Sequence, residues 1–513
     1  MEIDRKGLGE AMVLDYLSRN DKAFAVQDGV NQIDFPTLVE RSYRVYSLLR
    51  KCGVGPGDHV ALLLDNRYEN VEIMLGVLLS GAWLTPINWH LAPPEVEYIV
   101  ADSAATTLFY SASLFEQKLS GSAVLEQLRL AIDLEADYPS KLAEVSLTKP
   151  AAADTAGGLM IYTSGTTGYP KGVKRVAADC LETMLSNMRQ GGHHVGLDGE
   201  GVHLVTGPMY HAAPALYAIY DLLNGASLYL MQKFDVREAL VLIERYGVTH
   251  THWVPTMFVR LLKLPLAERQ LHDCSSLRLV LHGAAPISAS VKQQMIEAWG
   301  TILVEYWGGT EGGVTTLVDS EAWLRCPGTV GQALPQFEVF SVDKQGQRLG
   351  ANEIGLLYAR HRDMPRVFEY HGDAEKTAAA HLSCGAFTLG DLGRVDDDGY
   401  VYLSDRRSNL IISGGVNIYP AEIEAVLIDH PAVADAGVFG VPDDEWGEQV
   451  VAVIQPMPEG VGEGLQDELM AHCRQLLAAY KLPRQVYMTS KLPRTPAGKL
   501  YLRRIRDQYP PRG

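Results

Sequence analysis

Apolar residues recur at Leu38, Tyr43, Val45, Leu48 and Leu49, a helical spacing that predicts a helix over 33–51. Gly53, Gly55 and Gly57 end it. The run Val60-Ala61-Leu62-Leu63-Leu64 then has no polar interruption, as in a strand buried on both faces. Asn66 with Glu69 three positions on matches a capping box and predicts a helix reaching about Leu79. Ala82–Pro86 and Thr106–Tyr110 predict strands, with a helix opened by Pro93 and Pro94 between them. Further strands are predicted at 158–161, 202–206, 227–231, 249–253, 277–281 and 301–306, with a helix at 236–246. This alternation predicts an α/β fold: a large N-terminal domain of mainly parallel sheets covered by helices.

From Gly328 the texture changes to short strands and glycine turns. Strands are predicted at 337–342, 354–359, 387–389 and 399–403, and Asp396–Tyr400 reads as a hairpin turn. These define a β subdomain of the large domain. The polar stretch Ser404–Asn409 predicts a boundary, dividing the chain into 1–404 and 405–513. Beyond it, strands at 410–412, 434–438, 450–454 and 485–488 and helices from Pro420 and over 465–477 predict a small α+β domain.

Composition narrows the function. A chain of 513 residues is long enough for two or three domains, and 47% hydrophobic content suits a globular protein. A net charge of −17 argues against a nucleic-acid or anionic-membrane binder. The six cysteines are scattered without a CxxC pair, which predicts free thiols in a reducing compartment, the cytoplasm. The start, Met1–Lys6, is polar and lacks a signal-peptide core. The most apolar long stretch, Ala213–Met231, contains Asp221 and Asn224 and predicts a buried helix and strand, with no membrane span.

Several stretches carry candidate chemistry. Thr163-Ser164-Gly165-Thr166-Thr167-Gly168-Tyr169-Pro170-Lys171-Gly172 follows a predicted strand. Its glycines, hydroxyls and lysine suit a phosphate cradle, although such clusters also form ordinary loops. It is not a Walker loop, because Lys171 precedes Gly172 rather than Ser or Thr. His282-Gly283-Ala284-Ala285-Pro286 follows another strand and suits either a tight turn or the approach of a flat ring. Glu311, between glycine pairs in Trp307-Gly308-Gly309-Thr310-Glu311-Gly312-Gly313, is either a magnesium-type carboxylate or a surface residue. Asp391 between Gly390 and Leu392-Gly393 suits ribose hydroxyls or a turn. Lys499 ends the stiff stretch Leu492-Pro493-Arg494-Thr495-Pro496-Ala497-Gly498.

In order and spacing these motifs, with Asp405-Arg406 and Ile411-Ile412-Ser413-Gly414-Gly415, resemble the adenylate-forming acyl-CoA synthetase superfamily, in particular its bacterial acyl- and aryl-CoA ligases. The resemblance covers nearly the whole chain. It implies an ATP-dependent acid–thiol ligase: a carboxylate attacks the α-phosphorus of ATP, and coenzyme A then displaces AMP. It implies that Thr163, Ser164, Gly165, Thr166, Thr167, Gly168 and Lys171 hold the phosphates and that Thr310 lies at the α-phosphate. Glu311 would bind Mg²⁺. Gly283, Ala284, Ala285, Pro286 and Trp307 would line the adenine, and Asp391 and Arg406 the ribose. Lys499 would bridge the reacting carboxylate and the ribose. The C-terminal domain would rotate about a hinge near Ser408 and bring Gly414 and Gly415 to the pantetheine path.

His211 resembles a gate between acyl and CoA sites. Trp253, Met257, Gly308 and Gly309 are expected at the acyl pocket, with the two glycines leaving room for a bulky or long group. Trp446 resembles a CoA-contacting aromatic, with core packing as its alternative. Two positions depart from the family pattern: Trp307 replaces a frequent Tyr, and Ser408 stands where Asp or Lys is common. The acid is left open among fatty, steroid-like, alicyclic and aromatic classes. An adenylating amide ligase and a non-catalytic nucleotide-binding protein are the alternatives, and a homodimer is left open.

Overall fold

The computed structural model describes residues 14–29, 31–163, 170–406, 409–413, 416–443, 446–458, 464–495, 498 and 500–509, with the backbone alone for Arg406, Arg503 and Asp507. Two large sheets form the N-terminal domain. In the first, six parallel strands run in the order Leu303–Gly309, Leu279–His282, Val248–Trp253, Val202–Val205, Ser227–Leu230 and Val26–Asp28. Antiparallel strands Gly313–Asp319 and Asn31–Ile33 flank them. In the second, Gly158–Thr163, Trp83–Pro86, His59–Leu63, Thr107–Tyr110 and Leu130–Asp133 are parallel. The hairpin partner Lys171–Arg175 and the strand Phe368–Tyr370 extend that edge antiparallel.

The β subdomain is an antiparallel sheet in the order Phe337–Val342, Gly355–His361, Asp391–Val395, Val401–Arg406. A separate sheet built on the long hairpin Val433–Asp443 and Gly447–Pro456 forms the C-terminal domain, with its own core around Ile411, Ile423, Leu427, Val438 and Ile454. The expected boundary between Ser404 and Asp405 falls inside the strand Val401–Arg406, which stays paired to the large domain through Arg406.

Hydrophobic spacing locates the elements because packing follows it. The helices Phe35–Lys51, Val236–Tyr246 and Leu465–Leu476 and the strand Gln485–Met488 lie where the pattern predicts. The apolar stretch 213–231 is the helix Ala212–Asn224 and the strand Ser227–Leu230. Its Asp221 is fully buried: Oδ2 accepts from Nδ1 of His203 at 2.9 Å and of His250 at 2.8 Å, and Oδ1 accepts from Gly199 N at 3.0 Å. Burial opposes its charge, and these donors more than offset that, holding the carboxyl below the usual range. Among the described residues no helix is long and apolar enough to cross a membrane.

Three local expectations are corrected. The helix Tyr68–Ser80 has Arg67 at its N-cap and no side-chain cap. Glu69 instead pairs with Arg67, and Asn66 ties the two large sheets together. Its Nδ2 donates to Gly207 O at 3.0 Å and Met231 O at 2.8 Å, and its Oδ1 accepts from Met209 N at 2.8 Å. The strand expected to end at Tyr306 runs on to Gly309 and turns back as Gly313–Asp319, because glycines permit close antiparallel pairing there. Residues 387–389 form no strand; Phe387 makes isolated bridges to Ala359 and His381.

Asn66→Ala strands one buried N–H and two buried carbonyls. It is expected to destabilise the protein by about 3 kcal/mol, read as a lower urea midpoint at unchanged slope.

Candidate active site

A cleft of about 3400 Å³ lies among the two large sheets, the β subdomain and the C-terminal domain. It exceeds the space a single small ligand needs, which is roughly 300–1,000 Å³. On one wall, the strands Gly158–Thr163 and Lys171–Arg175 present Thr163 opposite Lys171 at the base of their hairpin. Ser164, Gly165, Thr166, Thr167 and Gly168 lie outside the described residues. Lys171 Nζ stands 3.3 Å from Asp373 Oδ2. Next to it, Tyr370 Oη donates to Glu311 Oε1 at 3.1 Å, and Lys376 Nζ lies 4.3 Å from the centre of the Tyr370 ring. Burial lowers the Lys376 pKa, and Glu311 opposes that shift. This corner therefore combines two lysines with two carboxylates, Asp373 and Glu311, charges suited to phosphate oxygens and a hard cation.

A second wall begins at the end of the strand Leu279–His282. A Cβ on Gly283 would come within 2.7 Å of Tyr306 O, and Ala284 takes a left-handed φ of +65°. The chain thus passes close under the neighbouring strand and turns sharply, leaving Ala284, Ala285 and Pro286 on the cleft wall beside Thr310 and Gly309. Trp307 Nε1 donates to Asp391 Oδ2 at 2.7 Å, and both side chains are buried. The indole thus orients the carboxylate, a contact that the expectation of Trp307 as an adenine-lining residue did not include. Across the β subdomain Asp391 pairs in register with Arg406. The two expected ribose residues therefore sit on adjacent strands, although 15 residues separate them in the chain.

On the third wall, His211 caps the helix Ala212–Asn224, with its ring 4.5 Å from that of Tyr210. Met257 lines the cleft, as do Gly308 and Gly309. Trp253 does not. It is 0% exposed and packs among Phe234, Phe258 and Trp299, because alternate residues of a strand face opposite sides. His252 faces the cleft in its place. Its Nε2 and Tyr306 Oη lie 3.0 Å apart, and the Tyr217 ring lies 5.3 Å from the His252 ring, tilted by 48°. Burial pushes the His252 imidazole down to about 3, so it is neutral. Strand alternation around Trp253 was the signal that would have found this trio.

The room expected at Gly308 is a second correction. A Cβ there would lie 2.0 Å from Gly313 O, so the glycine is required by strand pairing and says nothing about acyl size. At Gly309 a Cβ would meet Glu311 Oε2 and Leu389 Cδ2, each at 3.1 Å.

The C-terminal domain closes the cleft. Gly498, with φ +80°, approaches Thr256 so closely that a Cβ would sit 2.9 Å from its Oγ1. Arg494, which the motif reading overlooked, holds this loop: it donates to both oxygens of Asp435, at 2.6 and 2.7 Å, and to Gly498 O at 2.8 Å. Lys499, the next residue, lies outside the described residues, as do Gly414, Gly415 and Ser408. Further contacts cross between the domains: Lys263 Nζ donates to Val433 O, and Ser288 Oγ to Asp429 Oδ1 at 3.2 Å. Trp446 is 39% exposed with the Arg484 guanidinium 5.0 Å from its ring centre, so core packing is not its role.

A large α/β domain with a β subdomain and a small lid, meeting at a cleft with phosphate-type and ribose-type groups, defines a nucleotide-using ligase architecture. The AMP-binding enzyme model matches residues 16–367, and the model of the AMP-binding enzyme C-terminal domain matches residues 422–499. A feruloyl-CoA synthase of Amycolatopsis sp is 33% identical over 95% of this chain and 96% of its own length. The long-chain-fatty-acid–CoA ligase FadD13 of Mycobacterium tuberculosis is 31% identical over 91% of each chain. Among solved structures, the anthranilate CoA ligase AuaEII in complex with anthranoyl-AMP has a TM-score of 0.85 at 25% identity over 97% of each chain. The amide bond synthetase McbA of Marinactinospora thermotolerans has a TM-score of 0.81 at 25% identity, covering 97% of this chain and 100% of its own. The chain belongs to the AMP-binding enzyme family, with the fold of its acyl- and aryl-CoA ligases.

Proposed function

We propose that the protein activates a carboxylic acid with ATP and transfers the acyl group to coenzyme A. One observation carries this reading: the Trp307–Asp391 pair, the turn at Gly283–Pro286 and Glu311 face one cleft, against which the loop ending at Gly498 docks. In the first step a carboxylate oxygen attacks the α-phosphorus and pyrophosphate leaves. In the second the CoA thiol, losing its proton, attacks the acyl carbon and AMP leaves.

Two anions meet in the first step, so their repulsion must be offset by fixed charges and donors. We assign Thr163, Lys171 and the loop between them to the departing phosphates, with Ser164, Gly165, Thr166, Thr167 and Gly168 as its donors. Thr310 faces the α-phosphate. Ala284, Ala285 and Pro286 flank the adenine, and Asp391 and Arg406 take the ribose hydroxyls. Lys499 reaches the reacting carboxylate. His211 stands at the passage from acyl to CoA side, near Met257. Gly414, Gly415 and Trp446 belong to the CoA path, with rotation centred near Ser408. The free thiols of the six cysteines support a reducing compartment, and we assign the cytoplasm.

Glu311 fits a magnesium site of the kind that combines one carboxylate with substrate phosphates, since it lines the cleft beside Lys171 and Lys376. When bound there, the ion would neutralise phosphate charge. Tyr370 fixes one Glu311 oxygen by its hydrogen bond. Glu311→Gln is expected to raise the magnesium concentration needed for half-maximal adenylation by about tenfold. An unchanged requirement and rate would remove Glu311 from the site.

The deciding experiment is acid-dependent ATP–pyrophosphate exchange over a panel of acids, followed by product analysis with CoA and with amines. Thioester formation supports the proposal. Amide formation without CoA would instead favour an amide ligase, the activity named for McbA. Absence of exchange with every acid would return the chain to a non-catalytic nucleotide binder.

A further inference from the structure

The strand Lys171–Arg175 starts at the phosphate hairpin and ends about 13 Å away, at roughly 3.3 Å per residue. Arg175, at that far end, lines the cleft. Its guanidinium lies over Gly313, where a Cβ would meet Nη2 at 3.0 Å and Nη1 at 3.1 Å. Gly313 also has a φ of +73°, so both backbone and space favour glycine under the guanidinium. Tyr217 and His361 stand near enough for the Arg175 charge to act on their titration.

Arg175 is exposed, and its guanidinium is the one placed over Gly313 on the cleft wall. Its backbone pairs with Phe368, but among the described residues its side chain makes no hydrogen bond or ion pair. The neighbouring Lys174 contacts His59 Nε2 at 3.1 Å and lies over the Trp83 ring. Arg41, Arg67 and Arg494 all grip carboxylates. A guanidinium presents five N–H donors in a planar fork that matches an oxyanion. On the nearby wall His252, Tyr306 and Tyr217 are neutral and interact with one another, and Asp363, whose charge also acts on His361, forms no ion pair with Arg175 among the described residues. The phosphates belong at the opposite end of the strand.

We propose that Arg175 binds a second carboxylate on the acid, at the end remote from the group that is adenylated, and so selects a dicarboxylic acid. This rests on the reading that the cleft adenylates an acid. A bidentate contact with this guanidinium favours the diacid, whereas an alkyl terminus displaces water from its donors and offers no acceptor in exchange.

The test compares straight-chain diacids with monoacids of equal length, and aryl diacids with aryl monoacids, in ATP–pyrophosphate exchange. The wild type is expected to favour the diacid by about 10- to 100-fold in kcat/KM, mostly through KM. Arg175→Leu is expected to erase that preference by weakening the diacid selectively. Arg175→Lys, which keeps the charge without the fork, should restore part of it. Neutral ω-keto and ω-hydroxy acids in the same assay separate recognition of an anion from recognition of any oxygen; equal preference for these would overturn the second carboxylate. Equal loss on every acid in Arg175→Leu, or no wild-type preference, would overturn the role of Arg175 and leave adenylation standing. Exchange with no acid at all would overturn both.

Discussion

Asp391→Ala is expected to lower kcat/KM for ATP in acid-dependent pyrophosphate exchange by about 100-fold, ~3 kcal/mol. The carboxylate is buried, already holds Trp307 Nε1 at 2.7 Å, and sits in register with Arg406 on the next strand. Truncation removes the acceptor for ribose and leaves the indole N–H buried without its partner. Asp391→Asn keeps an oxygen for Trp307 but loses the charge, so a loss of about tenfold is expected. The two variants separate orientation from charge. Trp307 fluorescence in both reports whether the indole pocket survives, and an unchanged KM for ATP in both would remove Asp391 from the nucleotide site.

Lys499→Ala should divide the two half-reactions. Pyrophosphate exchange is expected to fall by about 10²–10³-fold, the scale of losing one charge-stabilising group at a reacting centre. Thioester formation from supplied acyl-adenylate should keep most of its rate, because that step no longer needs a cation between carboxylate and phosphate. The structural support is the neighbouring residue: Gly498 packs on Thr256, and Arg494 clamps its carbonyl. Equal loss in both assays would mean that Lys499 acts through folding of the loop. Because Arg494 holds the same loop from the lid side, stability measurements on the variant separate these outcomes.

The architecture was largely legible because burial writes itself into periodicity. Val60–Leu64 reads as a buried strand and is one, from His59 to Leu63, and the amphipathic helix Val236–Tyr246 has the expected limits. Of the motif residues, Thr163, Trp307, Glu311 and Asp391 come from distant stretches of the sequence and line one cleft. Three kinds of information were not legible. Asn66 looks like a helix cap locally, but its partners Gly207, Met209 and Met231 are far along the chain. Strand alternation sets Trp253 and His252 on opposite faces, but which of the two faces meets the cleft is decided by the packing of Phe234, Phe258 and Trp299. Gly308 reads as vacant space until its pairing with Val314, which brings the Gly313 carbonyl against it, is seen. Each miss is a tertiary contact overriding a plausible local reading.

That glycine has a further consequence for how the protein's acid range can change. With a carbonyl 2.0 Å from any added Cβ, Gly308 is closed to point substitution, so the pocket cannot be shortened or widened there by a single codon change. Variation must come from walls that present side chains rather than paired backbone, such as Ala213, Tyr217 and Met257, which line the cleft from helices. A directed-evolution library confined to those helical positions should yield altered acid preference among folded variants, whereas one centred on Gly308 should return mostly insoluble protein.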